Sequence, residues 1–303
     1  LDLSSSVASA FIIGNENADI IKCSNGNCSV FGNGGDDSIT GGSGNDFIVV
    51  KGGNYNVSVN GGYGIDTISV DGDITGGNYL LQLNGGFQPI IEDSATINVG
   101  NVSGGNISML GSMANYESFH IGDVSGGNVT INGDGGSHDA VYFDGTTGVN
   151  IQIGKSDEKL TIYNVNSIYG TNSSDFIDAS QFFYWGAIDG RDGNDTLLAG
   201  AGSTVFGGQG DDVLVCAPAA ELYGGSGKDV FKVKELEPRL SFSIMDFSKE
   251  DVIDDESVIS EGWQRSYLAD YDGSEIVYFK EGLSFSAFVK GVPVKGNYIN
   301  GRK

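Results

Sequence analysis

The chain has 303 residues, and 16 Lys and Arg against 40 Asp and Glu leave it a net charge of −24. So large an acidic excess excludes nucleic acid and anionic membrane as electrostatic partners and makes divalent cations the natural counterions. No apolar run reaches the roughly 18 residues that a spanning helix needs, so no such span is expected. The chain opens at Leu1 with neither an initiator Met nor a signal-like apolar segment, which reads as a processed or trimmed start.

Glycine, at 49 residues, punctuates the whole chain. Residues 41–49, 61–69, 207–215 and 224–232 spell one formula, Gly-Gly-x-Gly-x-Asp-x-apolar-x. Its glycines take positive φ without steric cost, so carbonyl oxygens can turn inward. The Asp adds a hard anionic oxygen, and the apolar residue starts a short strand. Weaker copies fall into register with these. Residues 14–22, with Asp19, precede residues 32–40, with Asp37, by 18. Residues 190–198, with Asp195, precede the 207 and 224 copies at steps of 17, and a degenerate start at 170 supplies Asp175. The intervening segments 199–206 and 216–223 carry no Asp at the ligand position.

A second rhythm runs between these groups. Gly52-Gly53-Asn54 recurs as Gly76-Gly77-Asn78, Gly104-Gly105-Asn106 and Gly126-Gly127-Asn128, with starts 24, 28 and 22 apart. Each copy is a short alternating strand between glycine turns, with Val57 and Val59, or Val129 and Ile131, facing inward. Asn54, Asn78, Asn106 and Asn128 are placed to hydrogen-bond from copy to copy. The tail 241–303 has Ile244-Met245-Asp246-Phe247, an acidic run from Asp251 to Glu256, and alternating strands near 275–279 and 283–289. It reads as a closing cap, with the acidic run a solvated turn or a further ion site. Helical signals are nearly absent.

The nonapeptides resemble the repeats-in-toxin (RTX, hemolysin-type) family of calcium-binding β-rolls. The resemblance implies an all-β, right-handed parallel β-solenoid in which two nonapeptides make one turn and each calcium ion sits between equivalent loops of successive turns. On that basis one continuous solenoid is expected: a calcium roll over 1–70, a wider Gly-Gly-Asn solenoid over 71–165, a second roll over 166–235 and a capping region over 236–303. Its metal residues would be Asp19, Gly32, Gly34, Asp37, Gly42, Gly44, Asp46, Gly62, Gly64 and Asp66 in the first roll. In the second they would be Asp175, Asp195, Gly208, Gly210, Asp212, Gly225, Gly227 and Asp229. Asp19 and Asp37 would share one edge, Asp46 and Asp66 the other, and the second roll would bind several ions along one edge only. The basic end, Lys295, Arg302 and Lys303, departs from an uncleaved C-terminal secretion signal of that family.

Several residues stay open to more than one role. Cys23 and Cys28 can close a small loop in an oxidising compartment, leaving Cys216 odd, or all three can be free thiols. Seven sequons begin at Asn27, Asn56, Asn101, Asn106, Asn128, Asn172 and Asn194, in a chain rich enough in Asn and Ser to produce them by accident. The aromatic run 182–185 suits packing or stacking on a sugar. His120 and His138 have no zinc-type spacing around them, and His138 reads as a turn residue in a degenerate nonapeptide.

Parallel β-helices also cleave or epimerise acidic polysaccharides, so an alginate or pectin lyase, an epimerase, or its calcium-binding accessory module is the rival function. Such a site needs cations to neutralise the substrate carboxylate, and no Lys or Arg lies between Asn54 and Gly154. The expectation is a non-catalytic, extracellular, calcium-binding structural protein of a surface layer, appendage, matrix or adhesin. Its partners would be calcium, copies of itself arranged head to tail, or cell-surface glycans. Eleven of the sixteen basic residues lie from Lys228 onward, a charge asymmetry that suits head-to-tail contact.

Overall fold

Short strands between glycine turns cannot hold singly in water; they persist only by pairing on both sides and covering a shared apolar face. The computed structural model shows how this chain does so. It describes all residues except 6–7, 85–94, 113–116, 135–138, 146–149, 153–159, 164–166, 181–185, 235–240, 271–272, 281–282 and 292–303. The chain divides into two units, Leu1–Thr146 with Gly154–Ser167, and Thr147–Ile153 with Ile168–Lys303.

The first unit contains β1 (Ala10–Ile13), β2 (Ile20–Lys22), β3 (Cys28–Asn33), β4 (Ser38–Ser43), β5 (Phe47–Lys51), β6 (Asn54–Tyr63) and β7 (Thr67–Asp71). It continues with β8 (Ile74–Gln82), β9 (Ala95–Val99), β10 (Val102–Ser112), β11 (Glu117–Ile121), β12 (Val124–Asp134) and β13 (Ala140–Phe143); β15 (Leu160–Tyr163) also belongs to it, whereas β14 (Asn150–Gln152) falls in the second unit. Odd and even strands separate into two sheets, β1-β3-β5-β7-β9-β11-β13 and β2-β4-β6-β8-β10-β12-β15, and their neighbours pair in parallel. A parallel pair needs a crossover. Here the crossover is a strand of the opposite sheet with a turn on either side, so each rung supplies one strand to each sheet: a parallel β-solenoid.

Register stacks like on like. Val30, Ile48, Ile68, Ile97, Phe119 and Val141 occupy successive rungs of one sheet and are each 0% exposed. Ile39, Val59, Leu81, Met109 and Ile131 face them from the other sheet, also buried. Burying such a side chain contributes about 1.5–3 kcal/mol, so these two columns supply a large share of the unit's cohesion.

The asparagine ladder differs from expectation by one member. Asn78 Nδ2 donates to Asn56 Oδ1 at 2.7 Å, Asn106 to Asn78 at 2.9 Å and Asn128 to Asn106 at 2.9 Å. Asn56 closes it by donating through its backbone and side-chain amides to Asp36. Asn54 lies opposite Gly76 and takes no part in the ladder. Matching the two Gly-Gly-Asn triplets puts the strands two residues out of register. The correct step is set by apolar burial, which pairs Val57 with Tyr79 and Val59 with Leu81.

The second unit contains β14, β16 (Ser167–Tyr169), β17 (Phe176–Asp178), β18 (Ala187–Asp189), β19 (Thr196–Leu198), β20 (Thr204–Gln209), β21 (Val213–Val215), β22 (Glu221–Ser226) and β23 (Val230–Lys232). β24 (Ser241–Phe247), β25 (Val252–Asp254), the single helical turn α1 (Glu256–Ser260), β26 (Gln264–Asp270), β27 (Gly273–Lys280) and β28 (Leu283–Gly291) complete it. One sheet runs β14-β17-β19-β21-β23-β25 and the other includes β18-β20-β22-β24-β28-β27-β26. All pairs described are parallel until β28, which pairs in parallel with β24 but antiparallel with β27, itself antiparallel to β26.

That hairpin closes the sheet over an aromatic cluster in which Tyr278 stacks on Phe285 and Trp263 meets the same ring edge-on. The acidic run is no solvated turn: Asp251 and Asp255 are 2% and 0% exposed. Asp255 pairs with Arg265 and accepts from Tyr278 Oη at 3.1 Å. The aromatic run 182–185, His138 and the basic residues Lys295, Arg302 and Lys303 lie outside the described residues.

Replacing Asn78 with Ala removes two rungs of the exposed ladder and is expected to cost about 1 kcal/mol in a denaturant titration. Asn54→Ala should stay within about 0.5 kcal/mol of the parent; equal losses would refute the two-residue register.

Candidate metal sites

In the second unit the strand register brings five aspartates into one column. Phe176, Thr196, Val213, Val230 and Val252 are successive partners, so the residue before each, Asp175, Asp195, Asp212, Asp229 and Asp251, stacks on the next. One carboxylate oxygen of each Asp ties the rungs together. The Asp175 N–H donates to Asp195 Oδ1 at 2.8 Å, Asp195 to Asp212 at 2.8 Å, Asp212 to Asp229 at 3.0 Å and Asp229 to Asp251 at 3.1 Å. In the first unit Asp19 donates to Asp37 at 3.0 Å on one edge. On the other edge, Cys28 donates to Asp46 at 2.7 Å and Asp46 to Asp66 at 2.9 Å.

The other oxygen is left over. Oδ2 of Asp37, Asp46, Asp66, Asp195, Asp212 and Asp229 is buried without a hydrogen-bond partner. Burial raises these carboxyls, to about 6 for Asp37, Asp46 and Asp212 and about 7 for Asp66, Asp195 and Asp229. The backbone N–H that each accepts opposes the rise, and neighbouring aspartates add to it for all but Asp46. A buried anionic oxygen without a partner is unfavourable unless a cation is beside it.

The glycines explain themselves against this column. A β-carbon at Gly207, the first residue of its nonapeptide, would overlap Asp212 Oδ2 and lie 2.5 Å from the Gly224 carbonyl oxygen of the next rung. Only a bare Cα leaves the cradle open to both oxygens. The second and fourth residues are left-handed, with φ of 114° at Gly208 and 134° at Gly210, and a β-carbon there would overlap the Arg191 and Gly193 carbonyl oxygens. Gly42, Gly44, Gly62, Gly64, Gly225 and Gly227 repeat those two positions. In the 32–40 copy the left-handed residues are Asn33 and Gly35, whereas Gly32 fills the first position and Gly34 the third.

Among the described residues no three His, Cys, Asp or Glu side chains converge as a metal cluster. A bound ion would therefore take its ligands from turn carbonyls plus the aspartate oxygens, an all-oxygen, flexible donor set that suits calcium. The model of the RTX calcium-binding nonapeptide repeat matches the chain in four copies, over residues 13–48, 24–55 and 187–203. The turns within these segments are RTX calcium-binding repeats. No curated protein sequence matches the chain. The turn geometry carries the RTX pattern beyond the matched segments, through Asp66, Asp212 and Asp229.

Asp19 and Asp175 stand at the heads of RTX columns, and their carboxylates are engaged within their own turns. Asn15 N–H donates to Asp19 Oδ2 at 2.8 Å and Thr171 N–H to Asp175 Oδ2 at 2.7 Å. Several features escaped sequence reading. Asp251 occupies the fifth place of its column, signalled only by its position just before a strand. Asp246 accepts from the N–H groups of Gly224 and Gly225 at 2.8 and 2.9 Å, standing in for the carbonyls of a missing rung.

The fifth nonapeptide residue forms a second stitch running the opposite way. Asp211 N–H donates to Asn194 Oδ1 at 2.9 Å and Lys228 N–H to Asp211 Oδ1 at 2.9 Å. In the Gly-Gly-Asn region, Glu117 and Asp139, 1% and 0% exposed, continue the column of Asp46 and Asp66 through Ala95. His120, by contrast, sits on the outer surface, with Nδ1 2.6 Å from Asp144 Oδ2 and its ring stacked on Tyr142.

Asp212→Asn keeps the acceptor for Asp195 but removes the charge of the free oxygen; it should bind at least one ion fewer by calorimetric titration, and an unchanged count would refute the assignment. The pH response has opposite signs with and without calcium. The folded carboxyls titrate near 6–7 rather than 3.8, so the cation-free fold holds more protons than the unfolded chain in that window. Its stability should therefore fall as pH rises from about 4 to 7. With calcium bound the carboxylates are ionised, and affinity should fall as pH drops through the same window. Melting curves in cation-stripped and millimolar-calcium buffer check both signs.

Proposed function

We propose that this chain is an extracellular, non-catalytic, calcium-stabilised structural protein whose RTX turns order on binding calcium. The supporting observation is the six buried, unpartnered Asp oxygens stacked at rung spacing. Without a cation each rung places another carboxylate beneath its neighbour's, and the glycine turns carry a large conformational entropy to be overcome on folding. Calcium cancels the charge and fixes the carbonyls, so its binding energy is folding energy. Weak extracellular sites of this type have dissociation constants of about 10⁻⁴ to 10⁻³ M, matched to outside calcium and far above cytosolic levels. The candidate ligands are the aspartates and turn glycines of the two groups of repeats, several ions in all.

The acidic body and the eleven basic residues from Lys228 onward favour contact between copies, so we place the protein in a surface layer, appendage or matrix. Circular dichroism in calcium should show a β signal that a chelator largely abolishes; a signal unchanged by chelation would overturn the coupled folding. Electron microscopy at high protein concentration in calcium should show assemblies, and monomers alone would count against the architectural role. Release of unsaturated uronate ends from alginate or pectin would establish the rival enzyme.

A further inference from the structure

Cys23 and Cys28 sit on the edge that carries Asp46 and Asp66. Lys22 pairs with Thr40 and Ser29 with Phe47, which sets Cys23 opposite Gly41 and Cys28 opposite Asp46, 18 residues on in each case. Cys28 even makes the column's bond, its N–H donating to Asp46 Oδ1 at 2.7 Å. Residues 23–31 are thus a nonapeptide whose first Gly and sixth Asp are both replaced by cysteine. The fourth residue, Gly26, and the fifth, Asn27, keep the formula, and Asn27 Oδ1 accepts from Asn45 N–H at 3.0 Å as other fifth residues do.

Those two positions touch throughout the RTX turns. A β-carbon built on Gly41, Gly61, Gly207 or Gly224 would lie 2.8–3.0 Å from the Cγ of the Asp five residues on. With S–S near 2.04 Å, a disulfide sets each β-carbon about 3 Å from the opposite sulfur. The turn thus supplies the separation a disulfide needs wherever two cysteines replace this Gly and Asp. Cys23 and Cys28 are free thiols in the structure, both buried, 3% and 1% exposed. A thiolate-bound metal would need more donors, and among the described residues no third His, Cys, Asp or Glu joins them. Cys216 is the internal contrast: it is buried opposite Ala199, and Ala217, Pro218, Ala219 and Ala220 follow it with no second cysteine.

We propose that Cys23 and Cys28 form a disulfide that closes this turn in place of a calcium ion, a covalent clamp on the rung next to the Asp46 site. The oxidant is a small disulfide of the glutathione class. One cysteine thiolate displaces a glutathione thiolate to give a mixed disulfide, and the second cysteine displaces the other. Two protein thiols and one oxidised glutathione yield one protein disulfide and two reduced glutathiones, the protein's two protons passing to the leaving thiolates. Burial and the contact with Cys28 hold the Cys23 thiol above its ordinary range, so exchange is expected while the turn is open.

The place of this clamp rests on the RTX turn geometry, but its test does not need calcium to bind. The chain is folded in calcium, equilibrated with oxidised and reduced glutathione, then unfolded and alkylated. One alkylated thiol, Cys216, is expected, with the 23–28 turn lighter by two hydrogens. Three alkylated thiols, or glutathione on Cys216 with 23 and 28 free, would overturn the proposal. Stoichiometric zinc retained by the reduced chain and lost in C28S would overturn it in favour of a metal clamp. For the clamp itself, amide exchange of β3 in chelator should be at least tenfold slower in oxidised than in reduced wild-type protein. Equal rates would show a bond that clamps nothing. Using reductant on the native chain avoids any folding defect of C23S/C28S. Loss of the chelator effect on circular dichroism with a normal thiol count would refute the calcium mechanism alone.

Discussion

Everything in this molecule depends on dividing one carboxylate between two tasks. Within the columns, as at Asp66, Asp212 and Asp229, Oδ1 accepts the N–H of the Asp one rung back, and Oδ2 is turned into the glycine cradle. The first task fixes register, because a strand slipped by one residue would exchange Asp for an apolar neighbour and turn the whole inner face outward. The second leaves a buried anionic oxygen that a cation would neutralise. The apolar columns contribute the larger energy, yet strands of three residues such as β19, β21 and β23 bury one core side chain each. The polar column at the turn decides whether those side chains are presented at all.

Columns need ends, and the ends show what the repeat supplies elsewhere. At Asp19 and Asp175 the carboxylate is turned back onto Asn15 or Thr171 of its own loop. At the other end of the second unit, Asp246 substitutes a side chain for absent backbone carbonyls and Asp251 accepts the last ladder bond. Beyond it the chain changes chemistry. Asp255 is buried like its predecessors but is neutralised by Arg265 and hydrogen-bonded by Tyr278, so the terminal region balances its charge with its own cation. A buried pair of this kind contributes little net stability by itself, but losing either partner would strand the other.

The fold and the turns were legible because their physics is local. A nonapeptide carries its left-handed positions, its hard oxygen and its strand start within nine residues, so Asp46, Asp66, Asp212 and Asp229 could be named from spacing. What escaped depends on neighbouring rungs. Asn56 rather than Asn54 enters the ladder because the step is fixed by Val59 meeting Leu81, which no triplet match reveals. Asp251 read as part of a solvated turn or a further ion site, and only its bond from Asp229 shows it to be a column member. Gly34 was read one residue early because Asn33 takes the left-handed turn that Gly usually takes, its φ of 64° being tolerable for Asn.

The distance between successive column members also explains where the RTX chemistry fades. Steps of 17 to 20 residues allow two tight turns and two short strands per rung, and the cradle forms at each. From Asp66 to Ala95 the step is 29 residues, and from there to Glu117 and Asp139 it is 22 each time. The added residues lengthen β10 and β12 to 11 residues each and expand the turns between sheets. The longer strands bury more apolar surface per rung, with Ile107, Met109, Val129 and Ile131 all inward. Cohesion is thus traded between the two columns: where the strands are short the stacked carboxylates stitch the turn, and where the strands are long the core and the Asn78–Asn106–Asn128 ladder do so instead.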